Sequence, residues 1–569
     1  MKLPLFPWLR DVHVDRDSLT GDMSAAVVVT LMLIPQSLAY ALLAGMPAHV
    51  GLYASVLPLV AYAVFGRSPA LAVGPVAIAS VMTFDAILPF AAPGSPEWVA
   101  AGMFLAVCSG VILMIFGFLR FGFIAALLSH PVMSGFVSGA AILIILGQIK
   151  TLTGIKVTGG TAMQQLTQLA TNLDNVNWVT LTVGLSTFVL LLIARRWAGK
   201  FFKRLGVRGL LLDILTKASP LVLIGLVTLV LVATGYESQT RTVGTVPTGL
   251  PAISFPPMSQ EYVGLVISAL LIGVVGFIES VSMARTISRI RQVPTDADAE
   301  LRGLGAANIL SGLSGAFPVT GGLSRSVVNL DAGARTPLAG VFSAGLMILV
   351  LLGAGQFLSA LPLSSLAALI IIAIWALFDI HTFKECLRFD RADAAGWLVT
   401  FIGVLSLGVE HGIILGIALS VGTVLWRQSR PHMAIIGRLP GSEHFRNVIR
   451  HDVETLPNTM FIRVDANLFF ANWDRIREFI DQQSRAITAG GHVVLNMASV
   501  SDIDSTALDG LQGLERDLQA RDIKLLLCEV KGPMSDKLKK AHLGKQFDIH
   551  LSNHEAFETL KAKQDTPVA

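Results

Sequence analysis

Long apolar runs separated by short polar breaks fill the first 430 positions, after which the pattern changes. A helix needs roughly 20 mostly apolar residues to cross a bilayer. Such runs fall at residues 23–45, 49–65, 99–119, 131–148, 178–194 and 220–235, then at 262–284, 304–317, 337–352, 358–377, 394–409 and 412–426. Two shorter pieces broken by glycine and proline, residues 68–84 and 321–330, bring the predicted membrane segments to fourteen. Farther on, short apolar strands at 460–464, 493–497 and 523–530 alternate with helical patterns at 472–484 and 505–519. Alternating strand and helix predicts a small α/β domain. The chain therefore divides into a membrane part over 1–430, with halves at about 20–235 and 260–430, a linker at 431–455, and an α/β domain at 456–565.

Charge sharpens that division. Hydrophobic residues make up 53% of the 569 positions and charged ones only 14%, against about 25% charged in an ordinary soluble domain. Residues 431–569 hold 36 charges in 139 positions, whereas residues 1–430 hold 46 in 430. Two solvents are implied, hydrocarbon and then water. The net charge of +4 is too small and too dispersed for nucleic acid. Cys108, Cys386 and Cys528 lie far apart with no CxxC pair, so neither a disulfide framework nor a metal site is favoured. Residues 10–22 are charged before the first apolar run, which excludes a cleavable signal peptide. No GxxxxGK[ST] loop is present to cradle ATP, and nothing calls for a cofactor or an enzyme's nucleophile. With the N-terminus inside, the cytoplasmic loops carry Arg67, Arg120, the cluster from Arg195 to Lys217, Arg285 to Arg302, Arg335 and Lys384 to Arg391. The external loops keep Lys150, Lys156 and Arg241. The asymmetry places both termini in the cytoplasm.

The two broken segments sit at comparable places in the two halves: Gly74 lies 39 residues after Pro35, and Arg325 lies 46 after Glu279. Paired short, broken segments point to a secondary transporter built from inverted repeats. Charges at membrane depth are costly and mark function by default. Glu279, the only acid in the interior of a predicted spanning helix, must be paired or must take up a proton. Arg325 follows Gly321 and Gly322, which let a chain unwind and restart as a helix; the plainer reading makes it the structural partner of Glu279. Helices starting near Pro75 and near Ser324 would aim free backbone N–H groups and positive dipole ends at the membrane centre. With the Arg325 guanidinium and the hydroxyls of Ser324 and Ser326, that suits a small oxyanion.

The run LIPQSLAYALLAGMPAHVGLYASVLPLVAYAVFG, then GPVAIAS and FPVTGGLSRSVV, resembles the sulfate permease (SulP) family of anion transporters. The tail resembles a STAS domain, the module shared with bacterial anti-sigma-factor antagonists, so the resemblance covers nearly the whole chain. It implies a polytopic α-helical membrane protein. Its 14 segments would form a seven-plus-seven inverted repeat, arranged as core and gate domains in a homodimer, followed by the cytoplasmic α/β STAS domain. Substrate would sit between the third and tenth segments. By the same resemblance Gln36 and Tyr40 belong to the site, with Gly74, Pro75, Val76 and Ala77 at the start of the third segment. Ser324 and Arg325 come from the tenth, and Glu279 is the acid of the eighth. Gly322 stands where some animal relatives have serine, and Val76 where they have phenylalanine, which implies a roomier or less polar pocket. In the tail, DIDSTALDG (residues 502–510) resembles the STAS phosphorylation loop, with Ser505 and Thr506 as the regulatory site. The residue types favour a plain helix cap there.

The expectation is a secondary active transporter in the cell membrane, of the bacterial inner-membrane kind, importing an inorganic anion, sulfate first, with a proton carried by Glu279. The STAS domain would offer a surface to a cytoplasmic partner. The rivals are an anion exchanger or a bicarbonate or dicarboxylate carrier on the same scaffold, an anion channel, and a membrane-tethered regulatory protein. One such pocket fits sulfate, bicarbonate, dicarboxylates, nitrate or molybdate.

Overall fold

The computed structural model describes residues 6–10, 14–126, 129–155, 162–247, 249–257, 260–541, 543 and 546–565. Lys156, one of the expected external cations, lies outside them. The chain forms two compact units, Met1–Ser420 and Val421–Ala569.

The first unit opens with α1 (Arg16–Leu43), started by a reciprocal cap in which Ser18 N–H donates to Asp15 Oδ1 at 2.7 Å and Asp15 N–H to Ser18 Oγ at 2.8 Å. Pro35 lies inside α1 without ending it. The second apolar run divides into α2 (Ala48–Tyr53) and α3 (Leu57–Phe65), the latter restarting with Pro58 in its first turn, where its missing N–H is no loss. The third segment is a two-residue strand, β1 (Val73–Gly74), followed by α4 (Ala77–Ile87). Then come α5 (Pro96–Phe118), α6 (His130–Thr153), the short α7 (Ala162–Thr171), α8 (Trp178–Arg204) and α9 (Leu210–Ala233).

The second half runs α10 (Val266–Arg291), α11 (Ala297–Leu313), β2 (Thr320–Gly321), α12 (Leu323–Asp331) and α13 (Leu338–Gly353). The expected segment 358–377 is split by Pro362 into α14 (Gly355–Ser359) and α15 (Leu363–Trp375), since proline cannot continue the hydrogen-bond ladder. After α16 (Ile380–Phe389), α17 (Arg391–Leu407) and α18 (Val409–Gln428) complete the apolar part. Among the described residues nine helical spans are long and apolar enough to cross a membrane, with α2 and α3 counted as one span and α15 and α16 as another. The other five expected segments are α11, α13 and α17, of 16 or 17 residues, and the two strand-plus-helix pieces.

Small residues let helices α5 and α11 cross in close backbone contact. A Cβ on Gly110 of α5 would stand 2.6 Å from the Gly305 carbonyl oxygen, and one on Gly305 of α11 would stand 2.8 Å from that of Gly110. Such backbone contact is how helices gain packing where lipid offers no hydrophobic drive.

The second unit carries a six-stranded sheet in the order β4-β3-β5-β6-β7-β8. Its strands are β3 (Met433–Arg438), β4 (Phe445–Asn447), β5 (Thr459–Val464), β6 (His492–Asn496), β7 (Lys524–Cys528) and β8 (Asp548–His550). The last four run parallel, and β3 pairs antiparallel with both β4 and β5. Residues 431–455, expected as a linker, thus supply two strands. Ala434 and Ile436 of β3 are buried against Phe461 and Phe557, an apolar requirement too short to stand out from the sequence. The helices are α19 (Trp473–Ser484), α20 (Ser505–Gln519), α21 (Gly532–Lys540) and α22 (Asn553–Asp565).

Candidate functional site

The two broken segments meet. Val73 of β1 lies opposite Gly321 of β2, and Gly74 opposite Thr320, in an antiparallel pair. Buried polar side chains hold this crossing. Asn308 of α11 donates to the Val319 carbonyl and accepts its N–H at 2.8 and 2.9 Å, and Ser280 of α10 accepts the Gly321 N–H at 2.9 Å. Asn329 donates to the Ala70 carbonyl at 3.0 Å. None of these three stood out in the sequence, because a single asparagine or serine in an apolar run carries no periodic signal. From the crossing α4 and α12 start with their N-cap positions, Val76 and Gly322, giving no side-chain cap. Their first backbone N–H groups therefore have no helical or side-chain cap partner, and both positive dipole ends lie beside one another.

Arg325, in the first turn of α12, is 2% exposed, and neither of its Nη atoms has a hydrogen-bond partner. Two glycines make room for its head. A Cβ on Gly74, whose φ is +152°, would lie 3.2 Å from Nη1, and one on Gly322 would lie 2.9 Å from both Nε and Nη2. Glu279 also leaves a buried Oε2 without a partner. Among the described residues no ion pair within 4.0 Å joins it to Arg325, so the plain structural pairing is absent in this conformation.

A cavity of about 470 Å³ brings these groups together. Gln36 and Tyr40 of α1, Val76 and Ala77, and Ser324, Arg325 and Glu279 all line it, as does Gly322. Gln36 and Tyr40 stand one turn apart on the same face of α1. Gly74 and Gly321 sit behind, in the strand pair. Ser326 differs from its expected place. Its hydroxyl accepts the Ala72 N–H at 2.9 Å and donates to the Gly322 carbonyl at 2.7 Å, so it ties the two broken segments instead of facing the cavity. One residue along a helix turns a side chain by about 100°, so Ser324 and Ser326 point different ways.

Several further lining groups carry no sequence signal that marks them as ligands. Arg195 and Lys217 bring two further cations, and Arg195 Nη1 donates to the Ile372 carbonyl at 3.3 Å. Their signal was present as the basic cluster between the sixth and seventh segments, but it read only as topology. Pro35 and Pro220 line the cavity too. Pro220 removes the N–H that the Thr216 carbonyl would accept, and the Ser219 hydroxyl donates to it at 2.7 Å instead. Nor is Glu279 alone as an interior acid. Asp22 and Glu300 are 0% and 1% exposed, and Asp85 lies in α4. Asp22 accepts from the Arg335 and Thr336 N–H groups, and Glu300 from the Tyr62 hydroxyl at 2.6 Å and the Ser68 N–H at 2.9 Å. Both are satisfied structural clamps, in contrast to Glu279.

In the second unit Asp504 caps α20 by accepting the Ala507 N–H at 2.8 Å. Ser505 and Thr506 are then left exposed in the first turn. Beside them the Lys537 ammonium contacts Asp502, holding its carboxyl below the usual range, and donates to the Ile503 carbonyl at 2.7 Å.

Comparison with known proteins adds to this geometry. The profile of the sulfate permease family matches residues 19–400, and that of the STAS domain matches residues 450–556. A probable sulfate transporter of Mycobacterium tuberculosis is 32% identical over 532 residues, which is 92% of this chain and 92% of that protein. The chloroplastic sulfate transporter 4.1 of Arabidopsis thaliana is 32% identical over 536 residues, 92% of this chain and 77% of its own. Among solved structures, murine solute carrier 26 family member A9, an anion transporter in the inward-facing state, matches with a TM-score of 0.89. That likeness is at 20% identity and covers 98% of this chain and 94% of that one. The transmembrane domain of the cyanobacterium bicarbonate transporter BicA matches at 0.61 and 23% identity, covering 71% and 98%. These two likenesses speak for the fold alone.

Proposed function

The chain belongs to the sulfate permease family, and from that membership we propose that it is a secondary active transporter taking up a small inorganic oxyanion, sulfate first, together with a proton. The observation that carries this reading is Arg325, a buried guanidinium whose two Nη atoms have no protein partner. Desolvating a charge without pairing it costs several kcal/mol, and a protein retains such a group where a ligand completes it. An oxyanion accepting two parallel N–H bonds from that fork, with the uncapped ends of α4 and α12 beside it, would be held from three directions. Gln36, Tyr40 and Ser324 shape the rest of the site, and Arg195 and Lys217 draw the anion from the cytoplasmic side.

Glu279 takes the proton. A negative interior repels a dianion by roughly 2.3 kcal/mol per charge per 100 mV, and a co-transported proton offsets part of that. The protein works in the cell membrane with both termini in the cytoplasm, as a homodimer. Residues 1–430 form its transport domain, and the STAS domain docks a cytoplasmic partner. Phosphorylation at Ser505 or Thr506 would add charge to that surface.

Uptake of labelled sulfate into vesicles holding the full-length protein tests the reading, with and without a pH gradient and with bicarbonate, fumarate, nitrate and molybdate as competitors. Sulfate uptake driven by an inward proton gradient is the expected result. Uptake indifferent to the gradient favours exchange, unitary conductance a channel, and no flux of any anion a regulatory protein.

Gly322 offers a sharper check of the site. In Gly322→Ala the new Cβ must displace the guanidinium. Loss of one charge-assisted hydrogen bond, roughly 1.5–3 kcal/mol, should raise the KM for sulfate about tenfold or more. An unchanged KM would remove the fork from the site.

A further inference from the structure

A second cavity, of about 180 Å³, lies on the same three helices as the first. The central cavity is lined by residues 31–40 of α1, 76–78 leading into α4, and 369–377 of α15 and its end. Leu42 and Leu43, Val81 to Asp85, and Leu363 to Ile370 line the second. It therefore lies toward the opposite ends of these helices from Arg195 and Lys217. One layer of apolar side chains divides the two spaces. Ile78 faces the first and Val81 the second, three residues or about 4.5 Å apart along α4. Leu369 and Ile370 are neighbours on α15 and divide in the same way.

The small cavity is polar for its depth. Lys150 and Thr151 at the end of α6 line it with Gln148, which is 7% exposed, and Gln165 of α7. Gln165 Oε1 is buried without a hydrogen-bond partner, and an amide can be turned so that its N–H₂ faces the cavity instead. Lys150 has no acid within 4.0 Å among the described residues, its ammonium lying 5.6 Å from the Phe84 ring. Asp85, on the α4 side, supplies the opposing charge.

We propose that this cavity is a second oxyanion site at the external side, where Lys150, Gln148 and Gln165 hold the anion before it passes the single layer at Ile78 and Val81 to Arg325. The inference rests on the transport reading above. Lys150 attracts the anion and Asp85 opposes it, so the two charges set external affinity with opposite signs and leave the cytoplasmic side untouched.

The test is labelled-sulfate flux in vesicles sorted by protease access to the C-terminal domain, so that each face is measured separately. Lys150→Gln should raise the KM from the external face about tenfold while the KM from the cytoplasmic face changes less than about twofold. Lys150→Arg should restore it to within about threefold. Asp85→Asn should lower the external KM, and the Lys150→Gln/Asp85→Asn double variant should fall between the singles. If Lys150→Gln does not fold, as judged by gel filtration, the Asp85→Asn decrease in external KM, with the cytoplasmic KM unchanged, still decides. Equal KM changes at both faces, or none in folded variants whose parent moves sulfate, overturn the external site alone. A parent chain that moves no sulfate overturns the transport reading and this inference together.

Discussion

Arg325→Ala should abolish sulfate uptake while the protein stays folded. The side chain makes no hydrogen bond through either Nη atom, so its truncation breaks no hydrogen bond of those atoms. It also removes a charge held at 2% exposure, which relieves a desolvation cost. The melting temperature should therefore stay within a few degrees of the parent. Binding should fall far more. Two charge-assisted bonds at roughly 1.5–3 kcal/mol each amount to at least about 3 kcal/mol, a hundredfold or more in affinity. Arg325→Lys keeps the charge but loses the planar fork, so it should fall between the two. Sulfate binding by calorimetry in detergent, beside uptake in vesicles, checks both statements. Parental affinity in folded Arg325→Ala would sink the site.

Glu279→Gln should separate transport from accumulation. The carboxylate shares the cavity with Arg325, and no protein group satisfies Oε2. Anion and proton act on the same local field, so each should favour the other's binding, and the coupling must be reciprocal. With the membrane potential clamped at zero, one co-transported proton would let the parent concentrate sulfate up to about tenfold per unit of pH gradient. Glutamine cannot carry that proton. The variant should equilibrate sulfate, exchange it across the membrane and show weakened pH dependence of binding, yet reach no concentration above the outside value. Parental accumulation by Glu279→Gln would assign the proton to another group. Asp22 and Glu300 are poor substitutes, since each already accepts hydrogen bonds within the fold.

Both predictions concern residues that the sequence singles out, for a local reason. A charge inside a long apolar run is expensive wherever the chain folds, so Glu279 and Arg325 stand out without a structure. The fourteen apolar segments, the change of solvent near residue 430 and the strand–helix alternation of the tail are likewise written in run length and period. Glycine beside proline in residues 68–84, and paired glycines in 321–330, marked where helices break.

Contact across the chain lay beyond such signals. Gly74 and Arg325 are 251 positions apart, yet β1 pairing with β2 brings the glycine's open face against the guanidinium. Ser326 looked equivalent to Ser324, and only the path of the Ala72 backbone made one a tie and left the other a lining group. Arg195 and Lys217 read as topology until the packing of α8 and α9 turned them toward the cavity. Within residues 431–455, β3 formed because β5 offered an edge to pair with, and β4 then paired with β3. Composition and period determined which residues must leave water and which breaks the helices must take. Which side chains then face one another depended on packing, because a side chain's direction is set by the backbone that passes beside it and not by its neighbours in sequence.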